Sequence, residues 1–232
     1  MGNGTDKLLF GSIQKCQPYL TNNILLFNIK LKFNFDKKTS DFEMQVLKEE
    51  VRNRILAAAE KIFYEQDYRS AKLTDIAEQA DIPVALIYTY FKNKEGLFDE
   101  VVDGVLDNII KMMEDEEKME AGSPYERFNR GGASQLPKLL KSRIKLIILI
   151  DKSSGTKHEN AKDMWVKRLE QHIKDGLKRY SKTKHDPMLA HILANNYVEN
   201  LMEIARHYKN EKWAEDMLFV LNKCYFNGVE SL

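Results

Sequence analysis

Histidine, cysteine and serine or threonine are the side chains that could do metal or covalent chemistry here, and their spacing argues against both. His158, His172, His185, His191 and His207 never fall three to five residues apart beside a third ligand, as a metal cage would require. Cys16 and Cys224 are the only cysteines, too few for a disulfide framework or a thiolate cage, and they fit a reducing cytosol. Residues 152–160 read KSSGTKHEN, with the Ser/Gly/Thr look of a phosphate loop. The glycine-lysine spacing of a phosphate loop is missing and no strand precedes the segment, so it reads as a plain loop. No Ser/His/Asp set or carboxylate pair stands in a recognisable context. The expectation is a protein that is not an enzyme, with no metal and no cofactor.

Residues 82–91, IPVALIYTYF, are the unusual stretch. They carry no charge, yet they lie between the charged segments TDIAEQAD and KNKEGLFDE. Counted from Leu73, Ala77 is fifth, Asp81 ninth, Ile82 tenth and Ile87 fifteenth. A helix-turn-helix needs a small fifth residue where the second helix crosses, a left-handed ninth residue, and apolar plugs at ten and fifteen. An ordinary corner between two helices is the plain alternative on spacing alone.

The elements that must position this stretch are helical in period. Leu47, Val51, Ile55, Ala59, Ile62 and Phe63 make an amphipathic helix of about five turns. Leu73–Ala80 and Val84–Phe91 are two short helices. Asn93 is expected to cap one long helix, to about Glu120, along a stripe that includes Leu97, Val101, Val105, Ile109 and Met113. Its acidic end, EDEEKME, is expected to be a solvated face. A short helix at 125–130, one at 136–150, and longer ones at 161–180, 187–208 and 213–229 follow, for about nine in all. Residues 1–43 differ: Phe27, Ile29, Leu31, Phe33 and Phe35 alternate with polar residues, a strand period with no partner strand. A start assigned too far upstream of Met44, a real edge strand or arm, and a disordered tail all fit. No run nears the roughly 18 apolar residues of a membrane span; with no secretory signal visible, the location expected is cytoplasmic.

The segment LTDIAEQADIPVALIYTYFKNKEGLFDEVV resembles the DNA-binding head of the TetR-type (TetR/AcrR) transcriptional regulators. Ile76, Ala77, Ala80, Ile82, Tyr88, Tyr90, Phe91, Lys94, Glu95, Leu97 and Phe98 occupy positions of the family's motif, and ILAAAEKIFYEQDY matches its first helix. The resemblance covers about 46–102, and the rest agrees in helix count and length. It implies an all-α fold, with a three-helix helix-turn-helix head at 44–92 and a larger helical ligand-binding and dimerisation domain at 93–232. It also implies, residue by residue, that Tyr88 and Lys94 hold phosphates, with Lys72, Thr74 and Lys92 beside them. Val84, Ala85, Leu86, Thr89 and Tyr90 would face the major groove of an operator. Asp67 and Asp81 stand where the family commonly has glycine, and Asp tolerates positive φ. Pro83 replaces a Ser or Thr cap, which a helix start accepts. Val84, Ala85 and Leu86 replace polar reading residues, so readout would lean on thymine methyls and DNA shape.

The function expected is a homodimeric repressor released from its operator by a small-molecule effector. By the resemblance, helices 187–208 and 213–229 pair with their symmetry mates. Met112, Met113, Phe128, Met164, Trp165, Tyr197 and Met202 would surround the ligand, although plain core packing is the commoner role for each such residue. Charge gives the rival reading. Residues 44–98 hold eight Lys or Arg and nine Asp or Glu, a net of −1, whereas DNA-binding modules are usually basic. Arg52, Arg54, Lys72, Lys92 and Lys94 would have to share the DNA face. Otherwise the chain is a helical binding or scaffold protein whose head no longer binds DNA.

Overall fold

The computed structural model describes residues 45–119, 122–131 and 135–232; the alternating stretch at 27–35 and the rest of 1–43 lie outside them. The chain divides into two compact units, Met1–Val51 and Arg52–Leu232. Described residues of the first unit form only the opening turns of α1, a helix over 45–66. The other elements are α2 (Leu73–Gln79), α3 (Val84–Tyr90), α4 (Lys94–Val101), α5 (Val105–Glu117), α6 (Pro124–Gly131), α7 (Leu136–Lys141), α8 (Arg143–Asp151), α9 (Ala161–Tyr180), α10 (Pro187–Arg206) and α11 (Glu211–Glu230). Eleven helices and no strand are thus present among the described residues, and the class is all-α.

Two expected helices are each broken once. The helix predicted from Asn93 to about Glu120 is α4 and α5, separated at Gly104, whose φ of +70° is left-handed and cannot continue a helix. The apolar stripe hides this break, because Val101, Val102, Val105, Ile109 and Met113 are buried on both sides of it. The helix predicted over 136–150 is α7 and α8, interrupted at Ser142, whose amide bonds back to the carbonyls of Lys138 and Leu139.

Around α2 and α3 the core is formed by Ile55, Ala59, Phe63, Ile76, Ala77, Ile87, Phe91, Leu97 and Phe98, all buried. In the remaining helices α8 lies at the centre: Leu146, Ile147, Ile148 and Leu149 are buried in succession, so this helix has no solvent face over that turn. It packs on α10, which in turn packs along α9. Capping follows the sequence closely. Asn93 accepts from the Gly96 amide at 2.8 Å, Asp186 from Met188 at 2.8 Å and Asn210 from Trp213 at 2.9 Å, contacts that typically contribute about 1 kcal/mol each.

Asp67 and Asp81 have φ of +80° and +52°. Asp67 supports its conformation locally, since its carboxylate accepts the Ser70 amide at 2.9 Å and is held below the usual carboxylate range by that bond. Asp81 is exposed and makes no such contact among the described residues. Replacing Asp81 with alanine is therefore expected to cost about 1 kcal/mol, while Asp81→Gly is neutral or stabilising. Denaturant unfolding of the two variants checks this.

Candidate functional site

The turn between α2 and α3 is closed by the backbone. The Ala80 amide donates to the Ile76 carbonyl and Ile82 to Ala77, at 2.9 and 3.0 Å, across the left-handed Asp81. Ala77, small and buried, lets α3 cross α2 closely. Ile87 and Phe91 anchor α3 inward, while Ile82, expected to plug the same core, is only half-buried.

Of the α3 residues expected to meet DNA, Ala85, Tyr88 and Thr89 are exposed, Tyr88 at 58%. Val84, Leu86 and Tyr90 are half-buried. Val84 and Tyr90 each lie three residues from Ile87, which puts them beside its buried face. The outward face is consequently narrower than expected. Lys72 and Lys92 flank it, exposed and without an ion pair or hydrogen bond among the described residues, as is Arg54. Thr74 is exposed and its hydroxyl donates to Asp75 at 3.1 Å.

Lys94 and Arg52 are occupied within the chain. The Lys94 ammonium donates to the carbonyls of Tyr68 and Ala71, at 2.8 and 3.0 Å, and lies 4.4 Å from the centre of the Tyr68 ring. Two of its three N–H groups are used, which leaves one for a phosphate. Arg52 pairs with Glu100. The expectation that five cations share one free surface is therefore corrected: Arg54, Lys72 and Lys92 are exposed without partners, while Lys94 and Arg52 tie elements together.

Residues 152–160 form a loop, as expected, and its hydroxyls hold its own shape. Thr156 Oγ1 donates to the Ser153 carbonyl at 2.7 Å and accepts the His158 amide at 3.0 Å. The loop is seated against α4 and the α1–α2 turn. Asp99 receives His158 at 2.8 Å and Lys157 at 2.7 Å, and the Tyr68 amide donates to the Lys152 carbonyl at 2.9 Å.

A second site is a cavity of about 380 Å³ among α5, α6, α9, α10 and α11, within the roughly 300–1,000 Å³ usual for small-molecule sites. Met112, Met113, Phe128, Trp165 and Tyr197 line it, as expected. Met164 and Met202 do not. Each follows or precedes a lining residue, Trp165 or Leu201, and a step of one residue turns a side chain about 100° around a helix. Met164 accordingly points outward, 55% exposed, and Met202 is buried away from the cavity.

The polar part of the cavity was not anticipated. Glu116, in the acidic run expected to be a solvated face, is buried, and so is Arg127. Arg127 Nη2 lies 3.7 Å from Glu116 Oε1, and His172 Nε2 is 3.5 Å from Glu116 Oε2. His172 Nδ1 also lies 2.9 Å from Glu117, which Arg168 grips with both terminal nitrogens at 2.9 Å. Those Arg168 bonds hold the Glu117 carboxyl down to about 2. Burial opposes a charged His172, but Glu116 and Glu117 outweigh it and raise its pKa above the ordinary value. Among the described residues no group of three or more His, Cys, Asp or Glu could hold a metal ion, and no helix is long and apolar enough to cross a membrane.

Comparison with known proteins converges on this geometry. Residues 55–101 match the family model "Bacterial regulatory proteins, tetR family". A curated relative, the HTH-type transcriptional regulator HbdR of Aromatoleum sp. (strain CIB), is 39% identical over 61 residues, which are 26% of this chain and 27% of that protein. The match thus spans only about a quarter of that relative's length. A solved member of the TetR transcriptional regulator family from Streptomyces coelicolor superposes with a TM-score of 0.61 at 17% identity, covering 75% of this chain and 90% of that one. NalD, the secondary repressor of the MexAB-OprM multidrug efflux pump in Pseudomonas aeruginosa, does so with a TM-score of 0.51 at 22% identity, covering 76% and 95%. Residues 55–101 thus match the tetR-family model, and the all-helical fold is similar to that of the solved TetR-family member from Streptomyces coelicolor.

Proposed function

We propose that the chain is a homodimeric transcriptional regulator, with a DNA-binding head over about 44–92 and a ligand-responsive, dimerising body over about 93–232. The observation that carries this reading is the outward face of α3. Ala85, Tyr88 and Thr89 are presented on a helix locked from behind by Ile87, between the unpartnered Lys72 and Lys92. A helix presented this way can enter a major groove while the flanking cations and the remaining Lys94 N–H meet phosphates. Ala85 and the methyl of Thr89 suit thymine methyl groups, and Tyr88 suits a phosphate oxygen.

Dimerisation is supported by the outer faces of α10 and α11. Met188, Ile192, Met217, Phe219 and Val220 are exposed there, Phe219 at 62% and Val220 at 53%, the kind of apolar patch that marks an interface. Two heads at a spacing of roughly 34–36 Å would read successive major grooves. A small molecule in the body cavity that favours another spacing would release the DNA, as a repressor requires. NalD, similar in fold, is a repressor by name. The same reading makes the protein cytoplasmic and non-enzymatic.

The test is a gel shift with the DNA upstream of the chain's own reading frame. A shift at low salt is expected, and Lys72→Ala and Lys92→Ala should each weaken it and reduce the salt slope by about one. No shift at low salt from an intact dimer would favour the scaffold reading, to which the net charge of −1 over residues 44–98 lends support. In a separate measurement, Val220→Glu should convert the dimer to monomer by light scattering and weaken operator binding by about 100-fold or more, since paired heads bind with avidity. A Val220→Glu protein that stayed dimeric would remove the assigned interface.

A further inference from the structure

Among the described residues, Arg127 Nε is the one buried side-chain nitrogen or oxygen with no hydrogen-bond partner. Arg127 is 3% exposed and lines the body cavity. A buried donor left unpaired is costly, and more so when it is charged. Glu116 does not relieve it. At 3.7 Å the contact with Nη2 is an ion pair beyond hydrogen-bond length, and the other carboxylate oxygen faces His172 at 3.5 Å. The Tyr180 ring, 4.9 Å from the guanidinium carbon, offers only a π-face.

Resting on the reading of this cavity as the effector site, we propose that its ligand is a small amphipathic carboxylic acid, with the carboxylate on Arg127 and an apolar tail among Met112, Phe128 and Trp165. The polarity follows from which group lacks a partner. The Glu116 oxygens already face Arg127 and His172, whereas Arg127 Nε is an unused donor, so the complementary ligand atom is an acceptor. A carboxylate matches a guanidinium edge with two parallel bonds. Nearby charges do not compensate Arg127 further: Glu117 is matched by Arg168, and Glu230, also at the cavity, is exposed. The cavity's size admits a single chain or ring system.

Ligand entry has a structural consequence. A carboxylate at Nε would compete with Glu116 for Nη2 and loosen the ion pair that links α5 to α6. Glu116 lies in the last turn of α5, whose other end meets α4 across Gly104.

Calorimetric titration of the purified full chain with decanoate, 1-decanol and decyltrimethylammonium, each below its micellar concentration, tests the assignment. Decanoate is expected to bind about tenfold or more tighter than decanol, the effect of one charge-assisted contact, and the ammonium to bind weakest. Arg127→Gln should bring decanoate to the decanol level. The paired variant Glu116→Gln with Arg127→Gln, which leaves no buried charge unmatched between the two, should lose the preference equally. Glu116→Gln alone should tighten decanoate. Equal affinity for decanoate and decanol, preference for the ammonium, or no saturable binding of any probe overturns the proposal. None of these readouts involves DNA. A chain that selects decanoate but shifts no operator overturns the regulator reading alone, and a DNA-binding chain without this selectivity overturns the ligand assignment alone.

Discussion

Phe98 is the side chain on which the helix-turn-helix and the body close together. It is fully buried in α4, edge-on to Phe63 of α1 at 5.0 Å and to Tyr68 of the α1–α2 turn at 5.2 Å, with His158 of the 152–160 loop at 6.1 Å. Burial of such a ring contributes about 1.5–3 kcal/mol, and each well-oriented aromatic pair about 0.5–1.5 more. The polar contacts around it are arranged by this packing. Lys94, one turn before Phe98, reaches back over Tyr68; Asp99, one residue on, receives His158 and Lys157. A change in the direction of α4 would therefore have to carry the α1–α2 turn and the 152–160 loop with it.

Seen from that joint, the division between α4 and α5 acquires meaning. A single helix from Asn93 to Glu120 would transmit any rotation of its far end directly to the head. Gly104 interrupts the backbone hydrogen bonds while the buried stripe of Val101, Val102 and Val105 keeps the two segments packed. Such a packed stripe, if it moved, would do so by discrete repacking rather than by continuous bending. Glu116 is tied to α6 and α9 at one end of this pair, and Phe98 is tied to the head at the other.

What could be read from sequence and what could not follow the same physical line. Element type, the cap at Asn93, and the left-handed Asp67 and Asp81 were legible because each is a local property of one residue and its neighbours. Five cavity residues were legible because bulky apolar side chains on facing helices tend to meet. Gly104 was missed because an apolar period is blind to a break that preserves the stripe. Glu116 and Arg127 were missed for a deeper reason: a charged residue in a charged run reads as solvated, and only the positions of other helices decide otherwise. Met164 and Met202 failed by one step of helical phase, a precision that composition cannot supply.

Charge is used in opposite ways in the two regions. Around α3 the exposed cations are few, and of the five available Lys94 and Arg52 are engaged within the chain. Binding there would rest on Lys72, Lys92 and Arg54, on the fit of an uncharged helix face, and on two heads acting together, so low salt matters more than it would for a basic head. At the cavity Glu116 and Arg127 are buried, where water screens charge little. A guanidinium held there without its full set of acceptors strongly discriminates the sign of whatever enters, since the apolar walls bind tails of any kind with similar strength. Selectivity in the body would then come from one group, Arg127, and affinity from the surrounding surface.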